Sequence, residues 1–378
     1  MNSSPPLSNL LRLAAAMIII TLSVYWMIFL RGLLVPILIS VLLSILVSPI
    51  TIQLEEKGLS KIASIILTIV LFLGLIAGII YFATMQISDM LDVWPDLKRK
   101  GTLWFTQLQN WAYRLFGLRP QSQITKLQEM SMAFLSGGGS AALLKTTSTL
   151  ADVILIPLYM FFMLYYRSFF CEFVYKVMAK SEKQRVNTVL FRICDVVHNY
   201  LSGLFIVMVI VGSLNTISLL ILDINYAVFF GFFAALLLLI PYIGVLIGSL
   251  LPILMAFITK DSPMYGVGVA GAFLFIQFLE GNFITPYIVG SKISINPLVA
   301  IIGLLLGGVI WGIAGMMLSL PMIAILKVVF DHSESLKPFG YLIGEPVREE
   351  SRRVVEEHTA ENPELITDEV ADSVKEAI

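Results

Sequence analysis

Charge is what this sequence has least of. Asp, Glu, Lys and Arg make up only 13% of its 378 residues, about half the roughly 25% of soluble domains. Apolar residues make up 58%, and the mean hydropathy is +0.89. One soluble core cannot hide that much apolar surface, so much of it must face lipid. Cysteine is nearly missing. Cys171 and Cys194 fit no metal spacing and no disulfide framework, and read as inert thiols. The three histidines, His198, His332 and His358, are too scattered for a local metal motif. No G-x-x-x-x-G-K-[ST], H-E-x-x-H, G-x-S-x-G or C-x-x-C occurs, and Gly290-Ser291-Lys292 has the wrong order and spacing for a phosphate loop. ATP hydrolysis on a P-loop is excluded. No enzyme activity, cofactor, metal or nucleic acid is implied, and any transport must run on gradients or a separate partner.

What is there is a series of apolar runs. A helix needs about 20 such residues to cross the hydrocarbon core. Leu13–Leu30, Leu33–Ile52, Ile62–Ala83, Leu150–Tyr166 and Leu201–Leu222 qualify or nearly do. The first lacks a small-residue cleavage site and is followed at once by another run, so it reads as a membrane helix rather than a signal peptide. Tyr226–Ile240, Val245–Ile258 and Met264–Leu279 are shorter. Leu298–Leu326, punctuated by glycines, fits one tilted helix or a hairpin of two half-length ones. The expected fold is therefore all-α and polytopic, with re-entrant or broken helices. Residues 1–83 carry the N-terminal spans and 148–330 the transmembrane core.

Two segments look water-facing. The first, 84–147, has Trp104, Leu108, Trp111 and Leu115 at helical spacing and a breaker at Gly137-Gly138-Gly139. In the second, Val186, Val189, Leu190, Ile193, Val196, Val197 and Tyr200 recur every three or four residues. That pattern gives an amphipathic helix over 172–200, lying along the membrane or against the bundle. Residues 167–200 carry six basic against three acidic side chains. This excess favours the cytoplasm and puts both termini there. From Asp331 onward 13 acidic residues face 5 basic ones, so 331–378 reads as an acidic, solvated tail.

Few polar groups interrupt the apolar core. Asp152, Asp223 and Lys327 stand at span ends within reach of water. Asn215, with Ser213 and Thr216 nearby, reads as an interhelical hydrogen-bonding group. Pro241-Tyr242-Ile243-Gly244 is echoed by Pro286-Tyr287-Ile288-Val289-Gly290. Proline removes a donor, so both places are expected to break a membrane helix. Paired interrupted segments of this kind point to a transporter binding site, and the alternative is a pair of structural turns. Glu280 closes an apolar run just before the second break, with Lys292 beyond it. A buried carboxylate must be protonated, paired or wetted, which makes Glu280 a candidate for proton or cation coupling with Asn282 as neutral partner. A cap on a helix end is the other reading.

The run Gln277-Phe278-Leu279-Glu280-Gly281-Asn282-Phe283-Ile284-Thr285-Pro286-Tyr287-Ile288-Val289-Gly290 resembles the signature of the autoinducer-2 exporter family of membrane proteins. So do Asn296-Pro297-Leu298, Trp311-Gly312-Ile313-Ala314-Gly315, Ser319-Leu320-Pro321 and, upstream, Ile240-Pro241-Tyr242-Ile243-Gly244 with Gly248 and Pro252. The resemblance covers roughly Leu11 to Phe330. It implies a permease-like, homo-oligomeric protein of about eight membrane segments in an inner membrane. Its members are linked to export of autoinducer-2 or to sodium(lithium)/proton antiport. It implies a solute or ion pathway at Glu280, Asn282, Pro286, Tyr287 and Gly290, with Pro241, Tyr242 and Gly244 in the upstream element. Tyr287 occupies a place where a basic residue is also common, which removes an anion-binding role from that position.

Three functions follow as expectations. The first is a secondary carrier or facilitator that exports a small polar solute. The second is a sodium/proton antiporter, and the third a non-transporting scaffold that recruits partners through its amphipathic helix and tail.

Overall fold

A computed structural model describes residues 9–92, scattered positions between 95 and 114, and residues 148–177, 183–240, 243–289 and 295–345. The expectations for Trp104, Leu108, Trp111, Leu115 and Gly137–Gly139 lie outside the described residues, as do those for Lys292 and the chain beyond 345.

Helices carry the whole described architecture. They are α1 (Asn9–Phe29), α2 (Arg31–Glu56), α3 (Lys61–Asp92), α4 (Ser148–Tyr165), α5 (Arg167–Val177) and α6 (Lys183–Ile221). Then follow α7 (Ala227–Leu236), α8 (Ile243–Thr259), α9 (Met264–Leu279), α10 (Thr285–Ile288), α11 (Pro297–Trp311), α12 (Ile313–Asp331) and α13 (Lys337–Ile343). Among the described residues, five helices are long and apolar enough to cross a membrane, and a sixth span is counted if α4 and α5, bent by 67°, are taken together. The chain is thus an all-α, multi-pass membrane protein.

Small polar residues let the first spans approach closely. Ser40 on α2 donates its hydroxyl to Pro36 O at 2.6 Å and also reaches Ile156 O on α4 at 3.1 Å. Thr51 and Thr68 pair their hydroxyls at 3.1 Å between α2 and α3. Such groups hold membrane helices together because lipid offers no hydrophobic drive between them. At one end of the bundle Arg167 Nη2 bonds Glu55 Oε2, tying the start of α5 to the end of α2.

The amphipathic stretch is carried by two helices, α5 and the first turns of α6, and α6 continues without a break into the fifth span. The apolar face of the α6 part packs on the protein's own bundle, while Phe169, Phe173 and Val177 of α5 stay exposed. Val197 and Ile193 meet Leu42 and Leu38 of α2, while Val196 meets Ala324 and Val328 of α12.

Leu298–Leu326 forms a hairpin of two helices. Asn296 caps α11 by accepting from Leu298 N at 2.9 Å with Pro297 at the first helical position, and Gly312 turns the chain at φ +64°. A Cβ on Gly315 would stand 1.9 Å from the carbonyl oxygen of Gly307, so the two backbones touch. Trp311 Nε1 donates to Met27 O at 2.9 Å and anchors the hairpin on α1.

The first part of the expected solvated tail belongs to this core. Asn296 N donates to Ile343 O at 2.8 Å, and Gly340 packs on Asp331. The apolar residues of α13 interrupt the acidic composition there, and Phe339 meets Phe330 of α12 at 6.2 Å between ring centres, while Tyr341 and Leu342 stay exposed.

Candidate functional site

The second hairpin, α7–α8, is pinned at its base. Asp223 and Tyr226 both take left-handed backbone angles, φ 51° and 60°, which turn the chain sharply out of α6. Lys260 Nζ bonds Asp223 Oδ2 at 2.6 Å, and that hydrogen bond and charge hold the Asp223 carboxyl below its ordinary range. The two helices then pack with almost no side chain between them. A Cβ on Gly248 would lie 2.8 Å from Cα of Ala234, and one on Gly244 only 1.7 Å from the carbonyl oxygen of Leu237. On the outer side, a Cβ on Gly231 would meet Thr216 Oγ1 at 2.2 Å, which seats α7 against α6. Glycine is required at these contacts by space rather than by backbone angle.

The second interrupted element behaves differently from the sequence expectation. Pro286 does not break its helix. The chain widens from α9 into a π segment, Glu280–Ile284, and re-enters α-helix at Thr285, so Met264–Ile288 is one span of 25 residues. The physical reason lies in the proline ring, which offers no N–H and clashes with the carbonyl four residues back. A register of five residues relieves both problems, and π segments of this kind cluster at functional sites. In that register Thr285 N donates to the carbonyl of Glu280, and the Thr285 hydroxyl donates to Glu280 Oε1. From the other side Gln277 Nε2 donates to Glu280 Oε2 at 2.6 Å. The half-buried carboxylate is thus held by two neutral donors of its own helix.

The two elements make contact with one shared cluster. Leu238, just before the hairpin turn, and Ile284, Ile288 and Val289 pack on one cluster formed by Val207, Val211, Ala235 and Ile276. Beside this contact a cavity of about 230 Å³ opens between α6, the hairpin and α9. Asn215, Ala234, Ser249, Phe273, Leu274 and Gln277 are among its lining residues, and none of the lining side chains is charged. Asn215 is 4% exposed, and its Oδ1 has no hydrogen-bond partner. The sequence reading made it an interhelical hydrogen-bonding group, yet the structure gives its amide oxygen no donor.

The other expected site residues separate. Asn282 lies two positions from Glu280, hence on another face of the helix. It is exposed and donates to Phe278 O at 2.9 Å. Pro286 is exposed and Tyr287 is 88% exposed, both away from the cavity lining. Gly244 sits at the hairpin turn, while Pro241, Tyr242 and Gly290 lie outside the described residues. Gln277, Thr285 and Ser249 were not singled out from the sequence. Gln277 stands three residues before Glu280, a spacing that makes helical neighbours, and that signal could have found it. Thr285 could not have been found this way, because only a π register brings it over Glu280.

With this geometry in view, comparison with known proteins is informative. The family described as “AI-2E family transporter” matches residues 15–335. Two Bacillus subtilis proteins named “Putative transport protein”, YrrI and YueF, are similar over 213 and 227 residues at 30% and 27% identity. These stretches cover 56% and 60% of this chain and 60% and 61% of the relatives, so the chain spans about three-fifths of each. The Escherichia coli “AI-2 transport protein TqsA” is 27% identical over 154 residues, 41% of this chain and 44% of that protein.

Proposed function

The chain belongs to the AI-2E family of transporters, and on that premise we propose that it is a secondary carrier exporting a small polar solute, coupled to an ion gradient through Glu280. The observation that carries the proposal is the Glu280 carboxylate, half-buried within a spanning helix and held by Gln277 and Thr285. A carboxylate at membrane depth is costly to keep ionised, and such residues mark proton and ion pathways. The Escherichia coli relative's name makes autoinducer-2 the first substrate to test. The basic excess over 167–200 supports both termini on the cytoplasmic side, and the family resemblance supports an inner-membrane, homo-oligomeric assembly.

A second reading is sodium/proton antiport. The Glu280 carboxylate and the Thr285 hydroxyl are hard oxygen ligands of the kind that small cations take.

Purified protein in liposomes under an imposed pH gradient separates the two readings. Uptake of autoinducer-2 driven by the gradient supports the carrier. Dissipation of the gradient by sodium, with no movement of autoinducer-2, establishes the antiporter instead. Neither response overturns the transport assignment for these substrates.

A further inference from the structure

We propose that the cavity between α6, the α7–α8 hairpin and α9 is the solute chamber, and that Asn215 anchors there an uncharged, hydroxyl-bearing solute of on the order of ten non-hydrogen atoms. The proposal rests on the transport reading above. The volume of about 230 Å³ equals roughly eight waters at ~30 Å³ each, and bonded atoms pack more closely than separate waters.

The chemistry of the wall selects the solute. No lining side chain is charged, so an ionised solute would lose its hydration without finding a counter-charge. Asn215, Ser249 and Gln277 supply neutral donors and acceptors, while Phe273 and Leu274 offer apolar cover for a carbon skeleton. A few polar groups placed in an apolar wall are the common pattern of small-molecule sites. Asn215 adds an independent sign of a missing partner, because its buried amide oxygen accepts no hydrogen bond. A buried acceptor without a donor is unfavourable, and a solute hydroxyl relieves it.

The polar groups also form a ladder through the bilayer. The Asp223–Lys260 ion pair marks one end of the bundle. From that end Asn215 lies seven residues before Leu222, Ser249 ten before Thr259, and Gln277 thirteen after Met264. At 1.5 Å per residue these are depths of roughly 10, 15 and 20 Å, which straddle the middle of a core about 30 Å thick. Glu280 is not in the wall. It takes one amide hydrogen of Gln277 and so fixes that amide's plane at the top of the ladder, which makes Glu280 a positioning residue for the chamber.

The test is equilibrium binding to the full chain in lipid nanodiscs, read as ligand-dependent thermal stabilisation. The probes are erythritol and ribitol, with erythronate as the charged match. Two variants are compared. Asn215→Leu replaces the amide, whose oxygen has no partner, by an apolar group with the same branching and number of heavy atoms and keeps the fold, and Ala270→Phe fills the chamber. The expected result is saturable stabilisation of the wild type by a polyol, affinity weakened about tenfold or more in Asn215→Leu, no binding to Ala270→Phe, and no response to erythronate. Equal polyol binding by all three proteins, no polyol response in the wild type, or erythronate binding as tightly as erythritol overturns the proposal. Flux of the same polyol into liposomes separates the two readings. Binding without flux removes the transport reading and leaves the chamber. Flux undiminished by Ala270→Phe removes the chamber and leaves transport.

Discussion

Thr285 donates its hydroxyl to the carboxylate of Glu280, five residues before it in the chain, while its backbone N–H bonds the Glu280 carbonyl in the same register. An ordinary helix aligns residues three or four apart, so the contact exists only because Pro286 has forced the wider turn. Pro286→Ala returns an N–H to the helix and lets the α register close. The expected outcome is a folded, inserted protein that is at least as stable as the wild type, with solute flux reduced between tenfold and ~100-fold by displacement of Thr285 from Glu280. Parallel melting curves and liposome flux check this, and loss of folded protein in step with flux contradicts it.

The sequence made the spans legible because lipid demands long apolar runs, and α1, α2, α3, α4 and α9 begin within a few residues of their apolar stretches. It also put Glu280 forward, since one carboxylate among so many apolar residues is conspicuous. What it could not fix were events settled by space. Whether Leu298–Leu326 is one helix or two depends on Gly307 and Gly315 bringing two backbones into contact. Whether Asn215 finds a partner depends on what α7 and α9 place beside it. Asn282 and Tyr287 share the Glu280 motif in sequence but not its surroundings in space, because a helix distributes adjacent residues around its whole circumference.

The hairpin glycines give a sharp stability test. Gly315→Ala puts a methyl group against the Gly307 carbonyl, and the backbones must part at a cost of about 1–3 kcal/mol. Gly271→Ala on α9 meets nothing within 4 Å and should stabilise by about 0.5–1 kcal/mol through helix propensity alone. Denaturation of the two purified variants in the same detergent should therefore shift in opposite directions. Equal shifts would show that the α11–α12 contact does not depend on glycine.

The base of the α7–α8 hairpin should respond to pH. Lys260 holds the Asp223 carboxyl below its ordinary range, so the folded state binds that proton less readily than the unfolded chain. The pair's contribution is therefore fully present above the unfolded value of about 4 and fades as pH falls through the lower folded value. Asp223→Asn should melt below the wild type at pH 7, and the two curves should converge at low pH. Because Asp223 is exposed, molar salt should shrink the pH 7 difference as well. A gap that persists unchanged in acid would assign the hairpin base to backbone geometry at Asp223 and Tyr226.

Glu280→Gln tests the centre of the functional reading. The substitution keeps the side chain's length and leaves an oxygen to accept from Gln277 or Thr285, so the π segment should survive. It removes the one carboxylate on the described part of that helix, and with it the full negative charge that a proton or a cation would meet. Flux through a gradient-coupled carrier should then lose its dependence on the imposed pH difference, by at least tenfold in the ratio of driven to undriven uptake, with folded yield unchanged. The measurement is uptake into liposomes with and without the gradient, wild type beside variant. An unaltered pH profile would reduce Glu280 to a structural anchor that holds Gln277 and Thr285 in place. The chamber around Asn215 would then operate as a facilitator, because the described part of that helix face carries no second carboxylate to couple it.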